Sequence, residues 1–249
     1  MIELQHITKV YNRGEVNEVT ALNDVSLTIP KGEFVVVIGT NGSGKSTLFN
    51  TIAGADTPSS GKVLIDGKDV TKTAEYKRSQ WIARVFQNPL SGTAPDLSII
   101  DNFRLASLRT TSKRLVIGVN ETFKKTVRDK IATLGMGLEN KTEQQMGSLS
   151  GGQRQALTLL MSVMDKTDIL LLDEPTAALD PRSANTVLTT ADKLIKEYNL
   201  TAILITHNLK DAYQYGTRLV QMNEGKIIRD LGAGDKAALK QSDLFEWFA

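Results

Sequence analysis

The chain has 249 residues, enough for one large domain or two small ones, and its hydrophobic (41%) and charged (23%) fractions are those of an ordinary globular protein. A net charge of +2 gives no reason to expect nucleic acid as a partner, and the absence of cysteine excludes disulfides and thiolate chemistry. The first residues show no signal-peptide pattern, and the apolar runs are far shorter than the ~20 residues of a membrane helix. We therefore expect a soluble, cytosolic chain that could reach a membrane through a partner.

Short alternating runs fill the N-terminal quarter of the chain. Residues 2–11, with His6 as a strand residue, and residues 25–29 alternate apolar and polar side chains, which is typical of half-buried strands. Further strands are predicted at 62–65, which ends at an Asp-Gly hairpin pair, and at 81–86. These antiparallel strands are predicted to surround a fully apolar strand at 34–38.

A glycine-rich loop follows that apolar strand. Residues 39–47 read GTNGSGKST and fit the phosphate-binding P-loop, in which the glycines let successive N–H groups point at an anion. A helix predicted over 47–53 adds its positive dipole end, Lys45 can reach the β- and γ-phosphates, and the Ser46 hydroxyl can ligate Mg²⁺. The predicted nucleotide-binding residues are Gly39, Asn41, Gly42, Ser43, Gly44, Lys45, Ser46 and Thr47. A P-loop indicates a nucleoside triphosphate and nothing narrower.

The alternating patterns stop at about Pro89. Apolar residues at 123, 127, 131 and 134 share one helix face, and a second helix with a Leu/Met face is predicted over 153–164. No convincing alternating strand occurs between 89 and 165. This part of the chain is therefore predicted to be a helical insert, with the Leu/Met face as core packing.

After residue 165 strands and helices alternate again. The predicted elements are a buried strand at 169–172, an amphipathic helix over 184–195, a strand at 202–205, a helix over 208–215 and a hairpin of strands 218–222 and 226–229. The tail from 232 to 249 is short and mildly helical.

Two acids, Asp173 and Glu174, end the buried strand at 169–172. In P-loop enzymes an Asp at such a strand end supports Mg²⁺ beside the phosphates. Glu174 is placed to polarise an attacking water as a general base. Taken alone, a strand followed by two solvated acids is a common pattern, and it stays open as the alternative for this pair.

The pentapeptide LSGGQ at 149–153 narrows the function most. Its two glycines leave backbone N–H groups uncovered at the start of the helix predicted over 153–164, which makes a second anion site. One domain has a single γ-phosphate to bind, so this second site is predicted to serve the nucleotide of another subunit. As an isolated pentapeptide it could also be an ordinary Ser-Gly-Gly helix start.

Together these motifs resemble those of the nucleotide-binding subunit of ATP-binding cassette (ABC) transporters. The resemblance spans residues 2 to about 230, and the family motifs occur in the family's order. They are a Walker A loop at 39–47, a Q-loop at Gln87, the LSGGQ signature at 149–153, the Walker B run ILLLDE at 169–174, a D-loop at Ala178-Leu179-Asp180 and an H-loop at His207. Tyr11 matches the aromatic residue that stacks on adenine in this family.

The resemblance implies a role for each motif residue. Lys45 and the backbone of 42–47 would hold the phosphates, and Ser46, Gln87 and Asp173 would arrange Mg²⁺ directly or through water. The implied catalytic residues are Lys45, Gln87, Glu174 as the base that activates water, and His207 as a switch at the γ-phosphate. The implied nucleotide contacts beyond the Walker A loop are Tyr11, Ser150, Gly151, Gly152, Gln153 and Asp180, with the signature residues closing on the ATP of the opposite subunit.

The resemblance also implies a fold and partners. The fold would be an α/β P-loop (RecA-like) domain with a mostly parallel sheet, an N-terminal antiparallel β subdomain and a helical insert. A single domain would span 1–249, with 1–88 and 166–249 as catalytic core and 89–165 as helical subdomain carrying the signature. The working form would be a head-to-tail homodimer that binds ATP and Mg²⁺, docked on a membrane permease at the cytoplasmic side of the cell membrane. Nucleic acid is not an expected partner.

The motifs leave the cargo and the transport direction open. The stretches around the signature and after His207 resemble a bacterial subfamily that serves uptake systems with a solute-binding protein, some of them linked to aromatic amino acids. The alternatives are an exporter or lipoprotein-extraction ATPase, and a non-transport ABC ATPase acting on DNA or ribosomes. The last would be expected to show coiled-coil insertions, paired cassettes or basic arms, and this sequence has none.

Overall fold

The structure is a computed structural model that describes residues 1–110 and 118–247. Residues 111–117 of the predicted insert and the last two residues of the predicted tail lie outside the described residues. The strands are β1 (Ile2–Tyr11), β2 (Val19–Ile29), β3 (Phe34–Gly39), β4 (Ser60–Ile65), β5 (Lys68–Asp69), β6 (Ile82–Val85), β7 (Ile169–Asp173), β8 (Thr201–Ile205), β9 (Arg218–Asn223) and β10 (Lys226–Leu231). The helices are α1 (Lys45–Ala53), α2 (Glu75–Arg78), α3 (Ile99–Ala106), α4 (Glu121–Ala132), α5 (Gly151–Ser162), α6 (Pro181–Glu197), α7 (Leu209–Gln214), α8 (Ala233–Ala238) and α9 (Gln241–Glu246).

The described strands form two sheets. An antiparallel sheet has the order β2-β1-β4-β5, and a six-stranded sheet has the order β10-β9-β3-β8-β7-β6. The second sheet is parallel from β9 to β6, and only its edge strand β10 runs antiparallel to its neighbour. Strands buried on both faces need continuous apolar runs, which explains why β3, β7 and β8 are apolar except for Asp173 at the end of β7 and Thr201 at the start of β8. The predicted α/β fold class, with a mostly parallel sheet and an N-terminal antiparallel sheet, is confirmed.

Alternate residues of the parallel sheet contribute to two hydrophobic cores. On one face, β3 and β7 pack with α1 and the antiparallel sheet, so that the P-loop helix lies between the two sheets. On the other face, the same strands pack with α3, α4, α5 and α6. The described helices of the predicted insert therefore share a core with the sheet. Every helix among the described residues is too short or too polar to cross a bilayer.

The structure differs from the sequence-based expectations for β1, α3 and α5. His6 lies within β1, as predicted, but the regular alternation breaks there: His6 is exposed with φ 51 and Ile7 takes the buried position, because the register shifts between Leu4 and Ile7. The helix α3 was not predicted, although Ser98 gives it an N-cap by accepting from the Asp101 N–H. The helix α5 begins at Gly151 and not at residue 153, because the serine of the signature is its N-cap.

The buried side chain of Arg78 ties the P-loop helix to the segment between β5 and α2. It is 1% exposed, and its Nη1 donates to the carbonyls of Thr51 and Ile52 near the end of α1, both at 2.8 Å. Its Nη2 and Nε donate to the carbonyls of Thr71 and Thr73, at 3.1 and 2.9 Å. A planar fork of N–H donors suits this task, because it satisfies carbonyls that the end of a helix leaves without partners.

We predict that Arg78→Met lowers the free energy of unfolding by about 3–5 kcal/mol, because buried carbonyls lose their donors and the substituent has none. Arg78→Lys should recover part of this loss, since one ammonium cannot reach all of the carbonyls. Urea unfolding followed by circular dichroism measures both variants. A loss below about 1 kcal/mol for the methionine variant, the usual size of a surface change, would contradict this account.

Candidate active site

The P-loop joins β3 to α1 in a backbone shape that only glycine tolerates. Gly44 is the N-cap of α1 with φ 100, and a Cβ there would lie 2.5 Å from the Ala21 carbonyl oxygen. No side chain caps this helix, so its first N–H groups are available to an anion. Ser43 Oγ is buried without a hydrogen-bond partner among the described residues, a vacant donor that a phosphate oxygen could satisfy. The loop therefore fits the phosphates of a nucleotide.

The side chain of Lys45 lies across this loop. Its Nζ donates to the carbonyls of Gly39 and Thr40, both at 2.9 Å. Burial lowers the pKa of the Lys45 ammonium below its ordinary value, and the carboxylates of Glu174 and Asp173 oppose that shift. Asp173, the last residue of β7, and Glu174, the next residue, are thus within electrostatic reach of Lys45, although both lie far from it in the sequence.

One cavity of about 1180 Å³ brings most of the predicted site residues together. The parallel strands all end at this edge of the sheet, where ligands of such folds bind. The predicted residues that line the cavity are Tyr11, Asn41, Gly42, Gly44, Lys45, Ser46, Thr47, Gln87, Glu174 and His207. The first residues of β2, Val19 to Ala21, also line it and were not predicted, since a strand start carries no motif.

Glu174 and His207 form a pair at the ends of β7 and β8. Glu174 Oε2 lies 3.1 Å from His207 Nδ1, and the glutamate side chain is 18% exposed against 59% for the histidine. Glu174 has φ 44, in the left-handed region, and its N–H donates to the Ile205 carbonyl at 3.0 Å. A non-glycine residue held in that region costs about 1–3 kcal/mol and is enriched at functional sites. The backbone strain and the histidine together fix the direction of the carboxylate.

Tyr11 ends β1 at the opposite side of the cavity. Its hydroxyl donates to Asp56 Oδ2 at 2.7 Å, and the Lys9 ammonium lies 4.8 Å from the ring centroid. Burial and the hydrogen bond with Asp56 raise the pKa of the Tyr11 hydroxyl. The ring is held in place and lines the cavity, as a platform for a nucleobase requires.

Asp173 is held by a residue that the sequence analysis missed. Arg84 Nη2 donates to Asp173 Oδ2 at 2.7 Å, and both side chains are mostly buried, 14% and 13% exposed. Asp173 itself does not line the cavity. No local pattern could reveal the pair, because 89 residues separate its members.

The donor set fits Mg²⁺ only when a nucleotide supplies part of the coordination shell. Among the described residues no cluster of three or more His, Cys, Asp or Glu side chains could hold a metal ion. The oxygen atoms of Ser46, Gln87 and Asp173 are the hard ligands that Mg²⁺ prefers, and this ion is usually held by one or two carboxylates plus substrate phosphates. The predicted roles of these three residues are consistent with the structure and stay predictions.

The signature residues 150–153 lie outside the cavity at the P-loop. Ser150 Oγ accepts from the Gln153 N–H at 3.3 Å, and Gln153 Oε1 accepts from the Ser150 N–H at 3.2 Å, which forms a capping box. A Cβ on Gly152 would collide with Ser183 at the start of α6. None of residues 150–153 lines the cavity at the P-loop. The start of α5 therefore lies outside the nucleotide cavity of its own chain, and its role as a second anion site stays a prediction.

Asp180 has a local structural role in this chain. It is the N-cap of α6, and its Oδ1 accepts from the N–H groups of Arg182 and Ser183, both at 3.1 Å. A hydrogen bond from the Ser183 side chain, followed by these backbone bonds, holds the pKa of the Asp180 carboxyl below its ordinary value. It does not line the P-loop cavity, so its predicted contact with nucleotide stays a prediction about the assembled dimer.

A sequence model of the family described as ABC transporter matches residues 22–177. The chain belongs to the ABC transporter family. The resemblance carried by the motifs is thus confirmed, and with it the ATPase activity and the binding of nucleotide. This ABC protein is an ATPase that energises transport.

Relatives of this ABC protein serve different cargoes. It is 40% identical to the tyrosine transport ATP-binding protein of Clostridioides difficile, covering 100% of this chain and 98% of the relative. It is 32% identical to the phosphonates import ATP-binding protein PhnC of Lactococcus lactis subsp. cremoris, covering 92% of each. It is 35% identical to the macrolide export protein MacB of Campylobacter fetus, covering 92% of this chain and 34% of that protein. Family membership therefore leaves the transport direction open.

A solved ABC cassette shows the same fold. The ATP-binding cassette MJ0796, in a dimeric post-hydrolysis state with ADP and phosphate, matches with a TM-score of 0.80 at 29% identity, covering 94% of this chain and 99% of that one. This match supports the use of this fold as an ATPase that energises transport.

Proposed function

We propose that this ABC ATPase drives the uptake of an amino acid, with aromatic amino acids as the first candidates. The identity of 40% with a tyrosine transport ATP-binding protein, over essentially the full length of both chains, carries the proposal. The ATPase would work with a membrane permease and a solute-binding protein, at the cytoplasmic side of the bacterial inner membrane. An exporter stays the second candidate, because MacB shares the same cassette at 35% identity.

The proposed mechanism begins with a nucleotide held by one chain. The N–H groups of residues 42–47 and the Lys45 ammonium hold the phosphates, and Tyr11 stacks on the base. Bound Mg²⁺, arranged by Ser46, Gln87 and Asp173, would neutralise charge on the phosphate oxygens. Because the γ-phosphoryl transition state spreads charge over its oxygens, these residues act mainly by position and by charge.

Hydrolysis then requires a base and a second chain. Glu174 accepts a proton from the attacking water as the new P–O bond forms, and the bond to the ADP oxygen breaks. His207 holds Glu174 and contacts the γ-phosphate as a switch. The signature of a second copy, residues 150–153, would cover the γ-phosphate, since the signature of the same chain does not line the cavity. The working form is therefore a head-to-tail homodimer with an ATP shared between the two chains at each site.

A second cavity of about 790 Å³ is the proposed docking groove for the permease. It lies between the end of α1, β6 and the helices α3 and α5, and its walls are mostly apolar. Phe86 lines this groove and the next residue, Gln87, lines the nucleotide cavity. A permease segment in the groove would thus adjoin the loop that contacts the nucleotide. We infer on this basis that residues 89–165 act as a helical subdomain within the single domain 1–249.

We predict that Leu105→Glu strongly weakens association with the permease but leaves ATP binding unchanged. Leu105 lines the groove and is 53% exposed, so a carboxylate there adds a buried unpaired charge to the complex without disturbing the free subunit. Recovery of the membrane subunit with tagged ATPase should fall at least about tenfold, as for an interface hot spot. Ile228→Glu, a similar change at a 49% exposed position on β10, is the control and should leave recovery intact. Equal recovery of both variants would contradict the assignment of the groove.

Transport assays in cells test the proposed function. Deletion of the gene should reduce the initial uptake of radiolabelled tyrosine, tryptophan or phenylalanine, and the intact gene should restore it. The Glu174→Gln variant should not restore it, because transport needs hydrolysis. Normal uptake of all three amino acids, together with retention of preloaded solute by the deletion strain, would favour the exporter.

A further inference from the structure

Arg84 occupies an unusual position for a buried cation. It lies on β6, the edge strand beside β7, where it is aligned with Leu171, two residues before Asp173. Its guanidinium donates to Asn50 Oδ1 at 2.8 Å as well as to Asp173 Oδ2, so one side chain connects the P-loop helix with the end of β7. Phe86 supports it from one side, with the ring centroid 4.8 Å from Arg84 Cζ.

These contacts fix the orientation of the Asp173 carboxylate. Asn50, the other acceptor of the guanidinium, is itself held in place, because it belongs to α1 and also donates to Asp56 Oδ2 at 3.1 Å. Asp173 directly precedes Glu174, which lines the nucleotide cavity. One planar guanidinium thus donates through Nη1 to Asn50 and through Nη2 to Asp173, and its positive charge lies against the Asp173 carboxylate.

We propose that Arg84 is a positioning residue for Asp173, which it orients toward the P-loop and whose charge it balances when no Mg²⁺ is bound. This inference rests on the proposed role of Asp173 in arranging Mg²⁺. The alternative is a structural ion pair that only satisfies two buried charges. The two differ in what they predict for nucleotide binding with and without Mg²⁺.

The charges of Asp173, ATP and Mg²⁺ determine how the loss of Arg84 should change the binding of ATP. Without Arg84, the Asp173 carboxylate would be unbalanced beside the phosphate site, and Mg²⁺-free ATP, which is highly anionic, would be repelled. Mg²⁺ would remove much of that repulsion, because the free carboxylate then faces a divalent cation. Loss of Arg84 should therefore weaken ATP binding in EDTA more than in Mg²⁺. The ratio of the Kd in EDTA to the Kd in Mg²⁺ should rise about fivefold or more, as expected for unit charges a few ångströms apart.

The experiment measures the binding of a fluorescent ATP analogue to the purified full-length subunit, in EDTA and in excess Mg²⁺. Arg84→Met should raise the Kd ratio about fivefold or more, while Arg84→Lys, which keeps the charge, should stay within about twofold of the unaltered protein. Arg218→Met is the control, since Arg218 is similarly buried in ion pairs with Glu33 and Asp230. Its Kd ratio should not change. A thermal melt of each variant shows that it is folded.

A double-mutant cycle with Asp173→Asn tests whether Arg84 acts through Asp173. Once the carboxylate is removed, Arg84→Met should no longer alter the Kd ratio. An unchanged ratio in Arg84→Met, a rise that persists in the Asp173→Asn background, or an equal rise in Arg218→Met would overturn the proposal. If the unaltered protein binds no ATP analogue in Mg²⁺, it is the proposed nucleotide site that fails, and this result is distinct from a failure of Arg84 alone.

Discussion

Replacing Glu174 by Gln is expected to reduce ATP hydrolysis by about 10²- to 10⁴-fold, the usual contribution of a general base. The amide is nearly isosteric with the carboxylate and can keep the contact with His207, which is 3.1 Å from Glu174 Oε2. It cannot accept the proton of the attacking water. Binding of ATP should be unaffected, so the variant should accumulate as an ATP-bound dimer.

Phosphate release and size-exclusion chromatography in Mg·ATP measure the two halves of this prediction. Glu224→Gln is a matched control, because Glu224 also lies at the cavity and has a left-handed backbone, with φ 47. It should hydrolyse ATP at the normal rate. Normal turnover by the Glu174→Gln variant would show that another group accepts the proton.

Replacing Ser150 by Arg should reduce hydrolysis about 10²-fold, comparable to the loss of a transition-state donor. Ser150 is exposed and caps α5, whose first N–H groups are proposed to cover the γ-phosphate of the second chain. A large cation at this position would block that approach. The nucleotide cavity of the same chain does not include Ser150, so ATP binding to the monomer should be normal.

The same substitution removes an N-cap, which by itself costs about 1 kcal/mol of stability. Asn120→Arg controls for that loss, because Asn120 caps α4 by accepting from the Phe123 N–H at 2.9 Å. This control should keep its hydrolysis rate. Steady-state ATPase assays and equilibrium nucleotide binding separate the two effects, and equal rates for both variants would indicate that the signature does not take part in hydrolysis.

The features predicted correctly from the sequence are those that local patterns encode. A pattern of a few residues is enough to recognise the strand before the P-loop, the glycines of the loop and the two acids at the end of β7. Their meeting at one edge of the sheet follows from a parallel arrangement, because the carboxyl ends of parallel strands lie together. The family resemblance supplied the roles of Tyr11 and Gln87, which no local pattern singles out.

The features that were missed depend on contacts between distant parts of the chain. Arg84 and Arg78 each lie in unremarkable local sequence, and their roles come from carbonyls and a carboxylate supplied by other elements. The strand at His6 was predicted correctly, but its irregular stretch was missed because alternation cannot show a register shift. The start of α5 was predicted two residues late because the signature glycines read as loop, while the capping box of Ser150 makes them the first helical residues.

The central claim is that each ATP is hydrolysed between two copies of the chain. Lys45→Ala removes the phosphate-binding side of the site and Ser150→Arg removes the covering side, so each variant alone should be inactive. In an equal mixture, half of the dimers combine the two variants, and each of these has one site with both sides intact. The mixture should therefore recover about a quarter of the normal ATPase activity, as a head-to-tail arrangement requires. A mixture that stays as inactive as its components would contradict the shared site.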